Sequence, residues 1–355
     1  SPFDARLVDI KFFNSIGSDI SVSQEKAIEQ LFQREDFKRA NMDEVGEISA
    51  PPRAADFYKT GYLKAINVET ISHSKLKIVI DYACSSASMV FPSILGMLGA
   101  DIVALNAYTS TNKITKTLEE FNRSLSQMSD IVTTLKADAG FLIDAGAEKV
   151  FLSDEKGKIL PDDLAMLAVS YLVMKTYKKG VIAVPVNASS VIDELAGKFE
   201  IEVKRTALSA RNIMAATKDE NVIFVADGKG GFIFPEFQNS FDAMYAIGKI
   251  MEMLASLNVS LSEIAGEIPH FEVLHKSVAC LWDKKGQTMR KAIEDSKNKT
   301  TQLIDGVKIQ YAKYWVLLTP DSDDAFFHIW TEAKDKTIAQ GYIDLYAEKI
   351  RQWQE

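Results

Sequence analysis

The chain has 355 residues, 47% of them hydrophobic and 25% charged, with a formal net charge of -8. These values fit a globular protein of two or three domains and exclude a disordered or fibrous one. The acidic balance, with no Lys/Arg stripe interleaved with aromatics, excludes a nucleic-acid binder, and two cysteines, Cys84 and Cys280, are too few for a disulfide framework or a zinc site.

The first stretch, 1–62, reads as the end of a domain: a short strand at Asp9 to Phe13, a turn at Asn14 to Gly17, a helix over Ser23 to Phe37, and a connector carrying Pro51-Pro52. A helix beginning near Phe57 leads into the next domain. Lys77 to Asp81, the small-residue loop Ala83-Cys84-Ser85-Ser86-Ala87-Ser88, an apolar helix to Leu98 and a strand at Asp101 to Leu105 form one β-loop-α-β unit. Its strands are apolar on both faces, as buried parallel strands are. The same region is the most apolar of the chain, but Pro92, Gly96, Gly99 and Asp101 interrupt it, which argues for a buried helix and strand and against a membrane span.

After a helix near Thr115 to Met128 comes the most informative stretch. Phe141 to Ile143 ends in Asp144-Ala145-Gly146-Ala147-Glu148-Lys149, Val150 to Leu152 follows, and Asp154 to Gly157 turns the chain into Lys158 to Leu160. The pattern predicts strand, acidic loop, strand, tight turn, strand, with Gly157 supplying a positive φ. Carboxylates at Asp144 and Glu148 are oxygen donors of the type a hard divalent cation takes, and solvated turns of the same composition are common. A helix from Asp162 to Tyr177 closes this domain.

Gly180 to Val186, a helix from Ser190 to Phe199 and Ile201 to Lys204 repeat the β-α-β pattern. Asn221 to Val225 then runs into Ala226-Asp227-Gly228-Lys229-Gly230-Gly231, and an amphipathic helix spans Asp242 to Leu257. From His270 onward the pattern changes to strand, helix, three strands and a long helix over Lys334 to Trp353, which predicts an α+β domain on one sheet. The four histidines, His73, His270, His275 and His328, show no ligand spacing and read as surface or packing residues.

In order and spelling these segments resemble the alpha-D-phosphohexomutase superfamily of phosphomannomutases and phosphoglucomutases. The resemblance implies α/β architecture, with tandem three-layer α/β/α domains and a C-terminal α+β domain. It also implies boundaries: the end of a first domain at 1–66, then 67–178, 179–268 and 269–355. The family's Asp-Gly-Asp-Ala-Asp-Arg falls on Asp144 to Lys149, which implies a magnesium site at Asp144 and Glu148 that lacks the ligand replaced by Gly146. Aligning the family's Lys-Phe strand on Lys11-Phe12 places Ser1 on its phosphorylated serine and Lys11 beside the substrate. Its sugar-recognition loop, Gly-Glu-x-Ser-Gly, falls on the segment holding Asp227 and Lys229, with the later Asp-Gly at Asp242-Ala243. Its phosphate clamp, Arg-Pro-Ser-Gly-Thr-Glu-Pro, falls on Thr319 to Ala325, where only Pro320 is kept and three aspartates stand near the anion's place.

Framework spelling is retained while the chemical motifs are thinned. The expectation is therefore a catalytically impaired phosphosugar-binding module of sugar-nucleotide metabolism. Its spelling is nearest to the mutase-like module behind the nucleotidyltransferase domain of mannose-1-phosphate guanylyltransferase-type proteins. The alternative is an active phosphomannomutase or phosphoglucomutase interconverting hexose 1- and 6-phosphates through Ser1, Asp144 and Glu148. A hexose phosphate is the expected partner in both cases, and a cytoplasmic location is expected.

Overall fold

A computed structural model of the protein describes residues 10–15, 17–35, 40–47, 53–312 and 314–355. Ser1, the expected nucleophile, lies outside them. In chain order the elements are α1 (Val22–Gln33), α2 (Ala54–Ala65), α3 (Val68–Ser74), β1 (Lys77–Asp81), α4 (Ala87–Leu98), β2 (Asp101–Leu105), α5 (Leu118–Leu135), β3 (Ala139–Ile143), β4 (Val150–Asp154) and α6 (Asp162–Tyr177). These are followed by β5 (Lys179–Pro185), α7 (Val191–Ala196), β6 (Glu200–Thr206), α8 (Ala210–Met214), β7 (Val222–Ala226), β8 (Phe232–Ile233), α9 (Ala243–Leu257) and α10 (Leu261–Gly266). Last come β9 (Glu272–Ala279), α11 (Lys285–Asp295), β10 (Thr300–Gln302), β11 (Val307–Gln310), β12 (Trp315–Pro320), β13 (Phe326–Ala333) and α12 (Lys336–Trp353). The chain forms two compact units, one of residues up to Ile159 together with Gly231–Asn258, the other of Leu160–Gly230 and Val259–Glu355.

In the first unit a sheet runs β2-β1-β3-β4, with β1 parallel to β2 and β3, and β4 antiparallel to β3. Helix α5 starts at a capping box in which Thr117 and Glu120 satisfy each other's amides, and it lays Leu125, Met128 and Val132 on Val79 and Leu142. An aromatic cluster fixes α2 and α9 together: Tyr62 donates to the Met244 carbonyl at 3.0 Å, and Phe237 stacks on Tyr245 with ring centroids 4.2 Å apart. Gly157 turns the chain at φ +74. The third strand expected at Lys158 to Leu160 is reduced to one bridge, Ser153 to Ile159. The Asp154 carboxylate explains this, because it accepts the Lys158 N–H that a ladder would use, along with the Lys156 N–H of the turn. The strand expected at Asp9 to Phe13 is likewise one bridge, Phe13 to Asp19, with Asp9 outside the described residues.

The second unit holds parallel strands in the order β6-β5-β7 and an antiparallel sheet in the order β10-β11-β12-β13-β9. Helices α11 and α12 cover one face of that sheet through Ala292, Ile343, Ala347 and Ile350. Its other face carries Trp315 and Leu317, packed on Val186 beside β5. Two buried charges fasten this junction. Glu332 accepts from the hydroxyls of Ser189 and Ser190, the Ser190 amide and the Trp315 indole N–H. Lys308 donates to the Val186 carbonyl at 2.8 Å with its ammonium 4.0 Å from the Trp315 ring centre.

Two stability predictions follow from this packing. A methyl group at Gly248 would sit 2.0 Å from the Tyr62 hydroxyl, so Gly248→Ala is expected to cost about 1–3 kcal/mol in urea unfolding, as overpacked cores do. Burial pushes the Lys308 ammonium down to about 7, and the nearby Arg205 guanidinium adds to the effect. Between that value and the ordinary lysine value the unfolded chain binds a proton that the folded chain does not. Stability should therefore rise with pH across the window, by up to about 1.4 kcal/mol per pH unit from this group. Lys308→Met should flatten that slope in denaturant titrations, and an unchanged slope would assign it to other groups.

Candidate functional site

The acidic loop between β3 and β4 is built around Asp144. Its Oδ1 accepts the Glu148 and Lys149 amides at 2.8 and 2.9 Å, and its own amide donates to the Lys149 carbonyl at 3.0 Å. Burial pushes the Asp144 carboxyl up despite those two N–H groups. Ala147 takes a left-handed φ of +55 to close the loop, and its carbonyl accepts the Ala243 amide at 3.0 Å, which ties the loop to the start of α9. Gly146 has the Asp144 Oδ2 and the Glu148 carboxyl beside it, at 3.6 and 3.8 Å from where its Cβ would stand. Both oxygens of Glu148 accept from the Lys11 ammonium.

The structure thus brings three sequence candidates, Lys11, Asp144 and Glu148, into one loop region. They meet as an internal ion pair and a self-capped turn. A hard divalent cation asks for several oxygen ligands turned to one point. Among the described residues no group of three or more His, Cys, Asp or Glu side chains meets that demand, and an ammonium already neutralises Glu148. The residues present do not fit a magnesium site of the family type.

Asp227 and Lys229 lie in the second unit, on the loop after β7. There Asp227 Oδ1 accepts the Lys229 amide at 2.7 Å, with Gly228 and Gly230 at φ +70 and +85 on either side. Asp242, in the place of the family's later Asp, is a helix cap. It accepts the Tyr245 amide at 2.9 Å and the Tyr58 hydroxyl and Gln238 amide group at 2.8 Å each, and burial pushes its carboxyl up.

The loop between β12 and β13 follows the same rule. Asp321 Oδ1 accepts the Asp323 and Asp324 amides at 2.7 and 2.8 Å, and Oδ2 accepts from His328 Nε2 at 2.7 Å. Those amides, and then the imidazole, hold its carboxyl down at about 2. Lys285 donates to the Asp321 and Asp324 carbonyls at 2.7 and 2.5 Å. In a phosphate clamp such amides would face an exogenous anion; here the carboxylate of Asp321 fills them.

Sequence reading missed a histidine pair. His275 on β9 and His328 on β13 are separated by 53 residues, yet His275 Nε2 lies 3.2 Å from His328 Nδ1. Ser277 Oγ lies 3.0 Å from the same nitrogen, and His275 stacks on Trp330 with ring centres 4.5 Å apart. The signal that would have found them is strand register: His328 faces Ser277 and Trp330 faces His275 across the β13-β9 pair.

Comparison with known proteins agrees with this architecture. Residues 56–157 match the family model for phosphoglucomutase/phosphomannomutase alpha/beta/alpha domain II, and residues 160–271 match that for domain III. A phosphoglucosamine mutase from Methanocaldococcus jannaschii is 28% identical over 343 residues, covering 94% of this chain and 75% of that protein. A phosphoglucomutase/phosphomannomutase from Thermococcus kodakarensis is 27% identical over 341 residues, covering 95% of this chain and 74% of that protein. A crystal structure of a phosphoglucomutase/phosphomannomutase family protein from Burkholderia thailandensis superposes with a TM-score of 0.78 at 15% identity, covering 95% of this chain and 71% of the other. With two consecutive domain models matched and relatives aligned along nearly its whole length, the chain belongs to the alpha-D-phosphohexomutase superfamily.

Proposed function

We propose that this chain has a phosphohexomutase-type function, with a hexose phosphate as its ligand. The observation that carries the reading is alignment with named mutases across nearly the whole chain, beyond any single motif. Phosphoryl transfer of this kind depends on positioning and on charge placed where the phosphoryl oxygens develop it. In this reading Ser1 accepts the phosphoryl group, Lys11 lies at the substrate, Asp227 accepts from a sugar hydroxyl and Lys229 attracts the phosphate. Asp144 and Glu148 would be the magnesium ligands; the loop as folded turns them to other partners.

A second reading, a hexose-phosphate-binding module with impaired turnover, is favoured by one observation: the Lys11 ammonium occupies the Glu148 carboxylate while Asp144 caps its own loop. Weak magnesium binding belongs to this second reading. The guanylyltransferase context suggested by spelling draws no support from the relatives described above.

One experiment separates the two. Conversion of hexose 1-phosphate to hexose 6-phosphate is followed in a coupled assay, with magnesium and a hexose bisphosphate activator, alongside calorimetric binding of the same sugars. Turnover that is lost in Ser1→Ala supports the mutase reading. Binding without turnover supports the module, and neither binding nor turnover overturns both.

The cation loop yields its own prediction. Gly146 takes no left-handed φ, and a Cβ there would make only ordinary van der Waals contacts with the Asp144 and Glu148 side chains, so Gly146→Asp adds a ligand without backbone strain, and Lys11→Met removes the competing ammonium. The double variant should bind magnesium on the order of tenfold tighter than the native chain in a titration read by calorimetry. Unchanged affinity would mean that neither the missing carboxylate nor the ammonium limits the site.

A further inference from the structure

Strand β9 is an edge of the antiparallel sheet, bonded on one side to β13 and on the other to no strand among the described residues. At eight residues it is longer than the opposite edge, β10, which has three. The register shows which of its groups are unpaired. The Cys280 amide donates to the Ala325 carbonyl at 2.9 Å, and hydrogen-bonded pairs alternate along an antiparallel ladder. Leu274 and Lys276 therefore bond to β13, while Val273, His275, Ser277 and Ala279 turn their amides and carbonyls outward. Gln354, just after α12, closes the far end of this edge: it donates to the Ala279 carbonyl at 3.1 Å and accepts the Leu281 amide at 3.3 Å. No strand or side-chain cap among the described residues covers the outward groups from Val273 to Ser277, and His275 and Ser277 are exposed. Edge strand β6 carries four charged side chains, Glu200, Glu202, Lys204 and Arg205, a device that discourages pairing. On β9 stand only Glu272 and Lys276, opposite in sign and four residues apart, with His275 between them.

We propose that β9 docks on β9 of a second copy of this chain, antiparallel about a two-fold axis at Leu274, so that two five-stranded sheets join into one. The outward groups match this register. Val273 of each copy exchanges amide and carbonyl bonds with His275 of the other, and the Leu274 side chains meet at the axis. Charge selects it. With the axis at Leu274, Glu272 of each copy faces Lys276 of the other, which gives two cross-strand ion pairs. An axis at His275 would set Glu272 against Val278 and Leu274 against Lys276, and an axis at Lys276 would set two lysines face to face. The Lys276 ammonium already donates to Asp344 on α12 at 3.0 Å, and an ammonium has further donors for a second carboxylate. Glu272 has only an exposed imidazole beside it, His270 at 3.5 Å. The Gln354 cap limits the pairing to the middle of the strand, where the two-fold register needs it. This association is independent of the hexose-phosphate reading.

The test is analytical sedimentation of the whole chain over a range of concentrations, with variants that leave the bonds to β13 in place. The native chain should show a concentration-dependent dimer that weakens as salt is raised. His275→Pro removes an outward amide, a position where an edge strand accepts proline, and should weaken the dimer by about tenfold or more. Glu272→Lys and Lys276→Glu each set like charges face to face in both cross-strand pairs and should each weaken it by about tenfold. Mixing these two variants in equal amounts restores both ion pairs, so the mixture should dimerise about as the native chain does. A variant that had failed to fold could not be rescued in this way. A native chain that stays monomeric at every concentration would overturn the proposal. So would a dimer indifferent to all three substitutions, or folded charge variants that mixing does not rescue.

Discussion

A loop amide finds its acceptor in water or in the chain itself, and in this chain aspartates supply it for several loops, buried and exposed alike. Asp81 takes the Ala83 amide, Asp144 those of Glu148 and Lys149, Asp154 those of Lys156 and Lys158, Asp227 that of Lys229 and Asp321 those of Asp323 and Asp324. This repeated device sets the shape of each of these loops. It also fixes the charge of each loop, since an amide held by an internal carboxylate is not offered to a phosphate, and a carboxylate held by amides is not offered whole to a cation.

The consequence differs between loops. At Asp144 burial outweighs the two amides and the carboxyl rises, whereas the half-buried Asp321 is held down by its amides and His328. Glu148 is left to a lysine. The fold has therefore kept loop frames like those of a phosphohexomutase, with aspartates that bond the amides of their own loops.

The repeated β-α-β units were legible because buried parallel strands are apolar runs bounded by small or charged residues, and β1, β2 and α6 fall where the sequence places them. Helix ends were less legible, since caps such as Thr117 and Asp335 sit inside polar runs that offer several equivalent starts. The strand expected at Lys158 to Leu160 failed for a side-chain reason that no periodicity carries, namely capture of the Lys158 amide by Asp154. Asp144, Glu148 and Lys11 were singled out by the family resemblance, but the pairing of Lys11 with Glu148 was not, because it spans 137 residues. His275 and His328 carried no local signal at all. Only antiparallel register brings them together, and register depends on the whole sheet.

The most direct test of the self-capping aspartates is an NMR pH titration of the loop amides. If Asp321 fills its own loop, the Asp323 and Asp324 amide signals should hold steady as the pH falls and move only near about 2, while those of Glu148 and Lys149 should move above the ordinary aspartate range. Amides of both loops titrating together near the unperturbed value of about 4 would show the carboxylates to be free of their loops and would contradict the account.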